Sequence, residues 1–176
     1  MVGEARTARG RNARTSFVIV DAQSVKNTDT ASKKGYDAGK KVSGIKRHIA
    51  VDSQGLPHAI AVTTADVTDR QGALKAFTQN RVSLARVVSV MTDGGYTGTS
   101  FADSVREILG ASVEIAKRSE LHTFKVMPKR WVVERSFAWL DKCRRLWKNC
   151  ERYLNTSLQF ANLAFLVLLL RRKDTE

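Results

Sequence analysis

The sequence predicts an α/β fold around a five-stranded mixed sheet, on three observations. Short runs of β-formers alternate with stretches of helical periodicity, the first three strand signals follow one another with no helix between them, and helices separate the later ones. Three strands in succession open the sheet as a meander, and strands reached through helices join it afterwards, which makes a mixed sheet with helices on its faces.

The elements follow in order. Phe17-Val18-Ile19-Val20 is the first strand, ending at Asp21. Ser24 to Gly44 is polar, with Lys26, Lys33, Lys34, Lys40 and Lys41 around Gly35 and Gly39, and reads as a mobile loop near the site. His48 to Asp52 and Leu56 to Val62 flank Ser53-Gln54-Gly55, a β-hairpin whose glycine supplies the positive backbone angle of a tight turn. Thr68 or Asp69 caps a helix carrying Ala73, Leu74 and Phe77, with Asn80 as its stop. Val87 to Thr92 forms the fourth strand and delivers Asp93, followed by a Gly94-Gly95 turn. Ser100 opens a helix with Phe101, Val105, Ile108 and Leu109 on its apolar stripe, closed by Gly110, and Ser112 to Ala116 is the fifth strand. From Pro128 to about Tyr153 the pattern is helical, and an extra C-terminal helix covers Leu158 to Leu170. The order β-β-β-α-β-α-β-α, plus that last helix, is the order of a ribonuclease H-like core. A doubly wound nucleotide-binding fold competes, but Asp21-Ala22-Gln23-Ser24 stands where that fold wants a glycine-rich turn.

A chain of 176 residues holds one domain with a real core. Its formal charge of +13 exceeds what solubility requires and favours a polyanionic partner, while 43% hydrophobic residues exclude a disordered basic tail. Residues 1–16, with Arg6, Arg9, Arg11 and Arg14, read as a flexible basic arm, leaving 17–176 as the folded domain. Cys143 and Cys150 lack any zinc-binding spacing and fit free thiols in a reducing cytoplasm. The apolar run Leu163 to Leu170 is short of the roughly twenty residues that span a bilayer, so it is expected as a buried helix, with no membrane partner.

Three carboxylates carry the chemistry. Asp21 and Asp93 each follow a β-rich run, in strands the proposed order sets side by side, and Glu134 lies in the helical stretch Arg130-Trp131-Val132-Val133-Glu134-Arg135. Either aspartate alone is more simply a turn residue, and Glu134 alone a solvated position. Together, on a basic chain, they fit hard divalent cations, because paired metal ions sharing carboxylates activate an attacking oxygen and stabilise a leaving one in phosphoryl transfer. On an unbroken helix Arg130, Glu134, Asp141 and Arg145 share one side, opposite Val132, Trp139, Leu140, Cys143 and Leu146. Arg130, Lys142, Arg144 and Arg145 make a candidate ridge for a nucleic-acid backbone, and the tryptophans interleaved with it are expected in the core.

Val20-Asp21-Ala22-Gln23-Ser24-Val25-Lys26, Thr92-Asp93-Gly94-Gly95-Tyr96 and Arg130 through Leu140 closely resemble the DDE transposases of bacterial insertion sequences, in the group named after insertion sequence five. The resemblance implies a DNA strand transferase whose triad, here Asp21, Asp93 and Glu134, binds two magnesium (or manganese) ions. It implies water attack at the element's end, then attack of the freed 3′ hydroxyl on target DNA. It also implies DNA as partner, a homo-oligomer on that DNA, and a bacterial cytoplasmic, nucleoid-associated location. Arg130 matches the family's phosphate-holding arginine. Met127 and Asp141 depart from the tyrosine and the lysine or arginine that often accompany the glutamate; Lys142 follows one residue late, and Arg145 returns to the same face. The chain resembles the catalytic half, without an N-terminal region that recognises terminal repeats, as when two overlapping frames are joined by frameshifting or when an element has decayed. An inactive DNA-binding fragment that regulates a longer transposase is the alternative.

Overall fold

The structure is a computed structural model that describes residues 1–116 and 130–173. Expectations resting on Met127 or Pro128 lie outside those residues.

Among the described residues six strands form one sheet: β1 (Phe17–Lys26), β2 (Gly35–Asp37), β3 (Val42–Val51), β4 (Pro57–Thr64), β5 (Ser89–Thr92) and β6 (Ser112–Ile115). β3 pairs antiparallel with β1, β2 and β4, and β5 runs parallel to both β1 and β6. The sheet is therefore mixed as expected, with one strand more than the five read from the sequence. The extra one, β2, lies in the stretch expected as a mobile loop. The two ends and the middle of that stretch belong to the sheet, because β1 continues to Lys26, β2 pairs with β3, and β3 begins at Val42. Asp37 at the end of β2 accepts a hydrogen bond from Ser24 at 2.6 Å and an ion pair from Lys46 at 3.3 Å. Burial raises the Asp37 carboxyl, but Ser24, the Lys40 amide and Lys46 outweigh it and hold it at about 2.

Two apolar layers cover the sheet. On one face α2 (Asp69–Gln79) and α3 (Thr99–Leu109) set Ala73, Ala76, Phe77, Phe101 and Val105 against Val18, Val20 and Ala61. Thr68 caps α2 in a reciprocal capping box with Gln71, and Gly110 closes α3 at φ +69°, both as the sequence indicates. On the other face α4 (Arg130–Asp141) and α5 (Leu154–Lys173) cover Ile19, Ile49, Val51 and Ile60 with Val132, Val133, Phe137, Leu140, Ala161 and Phe165. By length and composition α5 passes for a membrane-crossing helix, a test that a core helix also passes; it is buried along one face only, laying Ala161, Phe165 and Leu169 into the core while Leu163, Val167 and Leu170, expected buried, are exposed.

Two expectations are corrected. The helix after Pro128 does not run to Tyr153: α4 ends at Asp141, and the chain passes through an extended Cys143 into a short 3-10 turn, Arg144–Leu146. Tertiary bonds hold that break, with Arg47 donating to the Leu146 carbonyl at 2.8 Å and the Asn149 amide donating to the Lys26 carbonyl at 2.9 Å. Residues 1–16 are not a free arm. They contain α1 (Val2–Thr7), whose Ala5 packs with Leu56 and Leu169, while Arg6 is buried in an ion pair with the fully buried Asp52.

Candidate active site

Asp21 sits where two strands part. Pairing of β1 with β5 stops at Ile19 and Met91, whereas pairing of β1 with β3 continues past Asp21 and Ile49. Asp21 is thus inside a strand rather than at its end, because the antiparallel partner carries β1 onward. Asp93 directly follows β5 and caps the 3-10 turn Gly94–Tyr96, its Oδ1 accepting the Gly95 N–H at 2.9 Å. Oδ1 of Asp21 accepts the Ala22 N–H at 2.7 Å. Each aspartate lies two positions beyond the last parallel pair, Asp21 within β1 and Asp93 just past the end of β5, so the two stand level in register. With Thr92, Ala116 and Val133 of α4 they line one narrow cleft.

Tyr96 lies beneath, against Phe101 at 5.4 Å between ring centroids. Its phenol is pushed well above its ordinary range, by burial first and then by the negative charges of Asp21, Asp69 and Asp93. Its hydroxyl is buried with no hydrogen-bond partner among the described residues.

Glu134 is exposed on α4, one residue after cleft-lining Val133. It shares an exposed stripe with Ala138 and Asp141. Gln23, two residues beyond Asp21 and so on the same face of β1, donates to both carboxylate oxygens of Asp141 at 3.1 Å. The stripe bearing Glu134 is thereby held against the strand bearing Asp21. Yet among the described residues no group of three or more His, Cys, Asp or Glu side chains lies close enough to hold a metal ion. The two aspartates are brought together; Glu134 stands beside their cleft and is not gathered with them. The donor set itself, carboxylate oxygens without thiolate or imidazole, has the chemistry of a hard divalent cation site.

The expected backbone-binding residues are split between the two ends of α4. Lys142 and Arg144 are exposed in the turn after it. Arg145 is engaged with Glu151 at 2.8 Å and lies over the Phe160 ring at 4.7 Å; being past the helix end, it does not continue the Glu134 stripe. Arg130 is the first residue of α4. Trp131 and Trp147, expected in the core, are 49% and 67% exposed. The Arg135 guanidinium lies 4.5 Å from the Trp131 ring centroid and 4.8 Å from that of Trp139, and donates to the Gln54 carbonyl at 2.9 Å, fastening α4 to the β3–β4 turn.

Sequence reasoning missed Gln23 and Arg47. The alternation of β1 puts Gln23 on the Asp21 face, a signal that was available. Arg47 sits opposite Gln23 in the ladder and is almost wholly buried. Burial lowers its guanidinium to about 10, against the opposing charges of Asp141 and Cys143. No local pattern announces a buried arginine.

A curated relative, a putative transposase for insertion sequence element IS402 from Burkholderia cepacia, is 34% identical over 141 residues, covering 74% of this chain and 66% of its own length. A chain in the cryo-electron-microscopy structure of the simian T-cell lymphotropic virus intasome in complex with PP2A regulatory subunit B56 gamma superposes with a TM-score of 0.55 at 14% identity, over 86% of this chain and 47% of that one. The mixed sheet and this likeness fit a ribonuclease H-like fold. The transposase DDE domain family matches residues 12–170, most of the chain, and the chain belongs to that family.

Proposed function

We propose that this chain is the catalytic domain of a DNA transposase of the insertion sequence five group, which cleaves DNA at insertion-sequence ends and joins the freed 3′ end to target DNA. The observation that carries the reading is the level placement of Asp21 and Asp93 where β1 and β5 part, in a cleft that Val133 of α4 also lines. Asp21, Asp93 and Glu134 are the residues that would hold two divalent cations, magnesium or manganese. Bound there, such ions would supply activation of the attacking oxygen and charge neutralisation at the leaving one. The protein's own part is positional: β1 and the end of β5 fix two short carboxylates, and the longer Glu134 side chain, exposed on α4, would have to swing toward them when cations bind. Lys142, Arg144 and Arg145 contribute phosphate contacts beside the cleft, with Arg130 at the start of α4. The chain works as a homo-oligomer on DNA, in the bacterial cytoplasm.

Strand transfer from a pre-cleaved element end tests this. Joining by the wild-type chain, fused to an end-recognition region, and its loss in Asp93→Asn is the expected result. Equal joining by both proteins removes the catalytic assignment.

A second reading is an inactive DNA-binding fragment that regulates a longer transposase. It takes its support from the acidic side chains, which are not gathered into a threefold cluster among the described residues. DNA binding indifferent to divalent metal, together with no cleavage by the fusion, would select it.

A further inference from the structure

A second basic feature lies at the start of the β1–β5 pair, with the aspartates just beyond its other end. An open cleft of about 680 Å³ is lined by Arg11, Asn12, Arg14, Ser16, Arg86 and Val88, with Arg6 at its back. Its floor is where β1 and β5 begin, and the Ser16 carbonyl accepts the Val88 N–H at 2.8 Å. Asp21 is five residues along β1 from Ser16, about 16 Å at the rise of a strand.

The wall of this cleft is built. Arg6 is buried against Asp52 and its Nε donates to the Asn12 carbonyl at 2.8 Å, while the Arg11 amide donates to the Arg6 carbonyl at 3.0 Å. Arg11 is steadied by the Ser53 hydroxyl at 3.1 Å. Arg14 and Arg86 are exposed, face one cavity, and among the described residues have no carboxylate partner. No acidic residue lines the cleft. Guanidinium groups gathered around a concavity repel one another unless an anion lies between them, and a planar fork of donors matches phosphate oxygens.

We infer that the cleft of Arg11, Arg14 and Arg86 is a second phosphate-backbone site, which holds duplex DNA away from the acidic cleft. It rests on the reading of the chain as a DNA-acting protein, and adds a contact surface to it. One duplex lying along the β1–β5 pair spans that separation, so the site takes a continuation of the reacting duplex. Contacts there are to backbone and indifferent to sequence.

The test is fluorescence anisotropy of a labelled duplex with the full chain across a salt series. Arg14→Ala/Arg86→Ala is expected to weaken binding severalfold and to lower the log-log salt slope by about 1.8, close to 0.9 for each contact removed. Arg14→Lys/Arg86→Lys is expected to restore most of both, which excludes misfolding as the cause. A photoreactive benzoylphenylalanine in place of Val88 should give a DNA adduct that unlabelled duplex competes away. Wild-type affinity and slope in the alanine pair, or the absence of an adduct, overturns the inference. If wild type fails to join DNA but the alanine pair still lowers the slope, the catalytic reading falls and this site stands. If wild type joins DNA while the alanine pair binds normally, only this site falls.

Discussion

Gln23 and Asp141 are 118 residues apart in sequence, and one side-chain amide spans both oxygens of the carboxylate at 3.1 Å. The bond joins the strand of Asp21 to the helix of Glu134, and Arg47 reinforces it from below by donating to the Leu146 carbonyl. In this structure the Asp141 carboxylate thus serves the packing of α4 on β1. Asp141→Ala is expected to lower stability by about 1 kcal/mol in urea denaturation, the usual net worth of a hydrogen bond to a charged group at a partly wet site. Asp141→Asn, which keeps one acceptor, should lose less. An alanine variant indistinguishable from wild type would show that the contact holds nothing.

Stability should fall with acid well above the carboxylate range because of His48. Burial depresses its imidazole from 6.5 to about 4, with Asp69 opposing and Lys46, Lys40 and Lys75 adding to the shift. Its Nε2 pairs with the Thr63 hydroxyl at 2.9 Å, and Nδ1 is buried without a partner. Between pH 6.5 and 4 the unfolded chain binds this proton and the folded chain does not, so stability rises with pH in that window. The full loss on going from pH 7 to 4 is roughly 3 kcal/mol, at 1.36 kcal/mol per pKa unit. Urea midpoints at pH 7, 6, 5 and 4.5 measure it, and His48→Gln should flatten the slope. A wild-type midpoint that does not move between pH 7 and 5 contradicts the assignment.

The same ring makes Gly72 irreplaceable. A Cβ on Gly72 would stand 2.0 Å from two atoms of the His48 imidazole. The ring cannot retreat, since it is fully buried and α2 is packed on β3 around it. Gly72→Ala therefore destabilises despite the better helix propensity of alanine, by about 1–3 kcal/mol, the range for overpacked cores. Thermal unfolding reads this directly, and a rise in Tm would refute the packing.

Much of this architecture is legible in local chemistry. The capping box at Thr68 and Gln71, the left-handed Gly110 and the Ser53-Gln54-Gly55 turn are all set by a few neighbouring residues, and the helices and hairpin they bound appear close to where periodicity places them. What was not legible depends on partners far along the chain. The helix break at Asp141 contains no proline or glycine and is imposed by Arg47 and Lys26. The polar run after Asp21 lacks strand character, yet β3 pairs with it through Lys26. Of the site, Asp21 and Asp93 could be placed because each follows a β-rich run. The standing of Glu134 could not, since a helix face fixes direction but not reach.

The anchoring of α1 gives the last prediction. Asp52 is fully buried and receives Arg6, the His58 ring at 3.3 Å and the amides of Gln54 and Leu56 at 2.8 and 3.1 Å. Burial raises its carboxyl, but the donated bonds from His58, Leu56 and Gln54 outweigh that and leave it below its ordinary value. A charge so enclosed depends on its partners, and removing one leaves it uncompensated. Arg6→Met is thus expected to cost about 3–5 kcal/mol, whereas Arg6→Met with Asp52→Asn should recover a large part by removing the stranded charge. Chemical denaturation of the two variants, with limited proteolysis within residues 1–16 as a second readout, decides the matter. Rapid cleavage there in wild type, or a single variant as stable as the parent, would mean that α1 is not held by this pair.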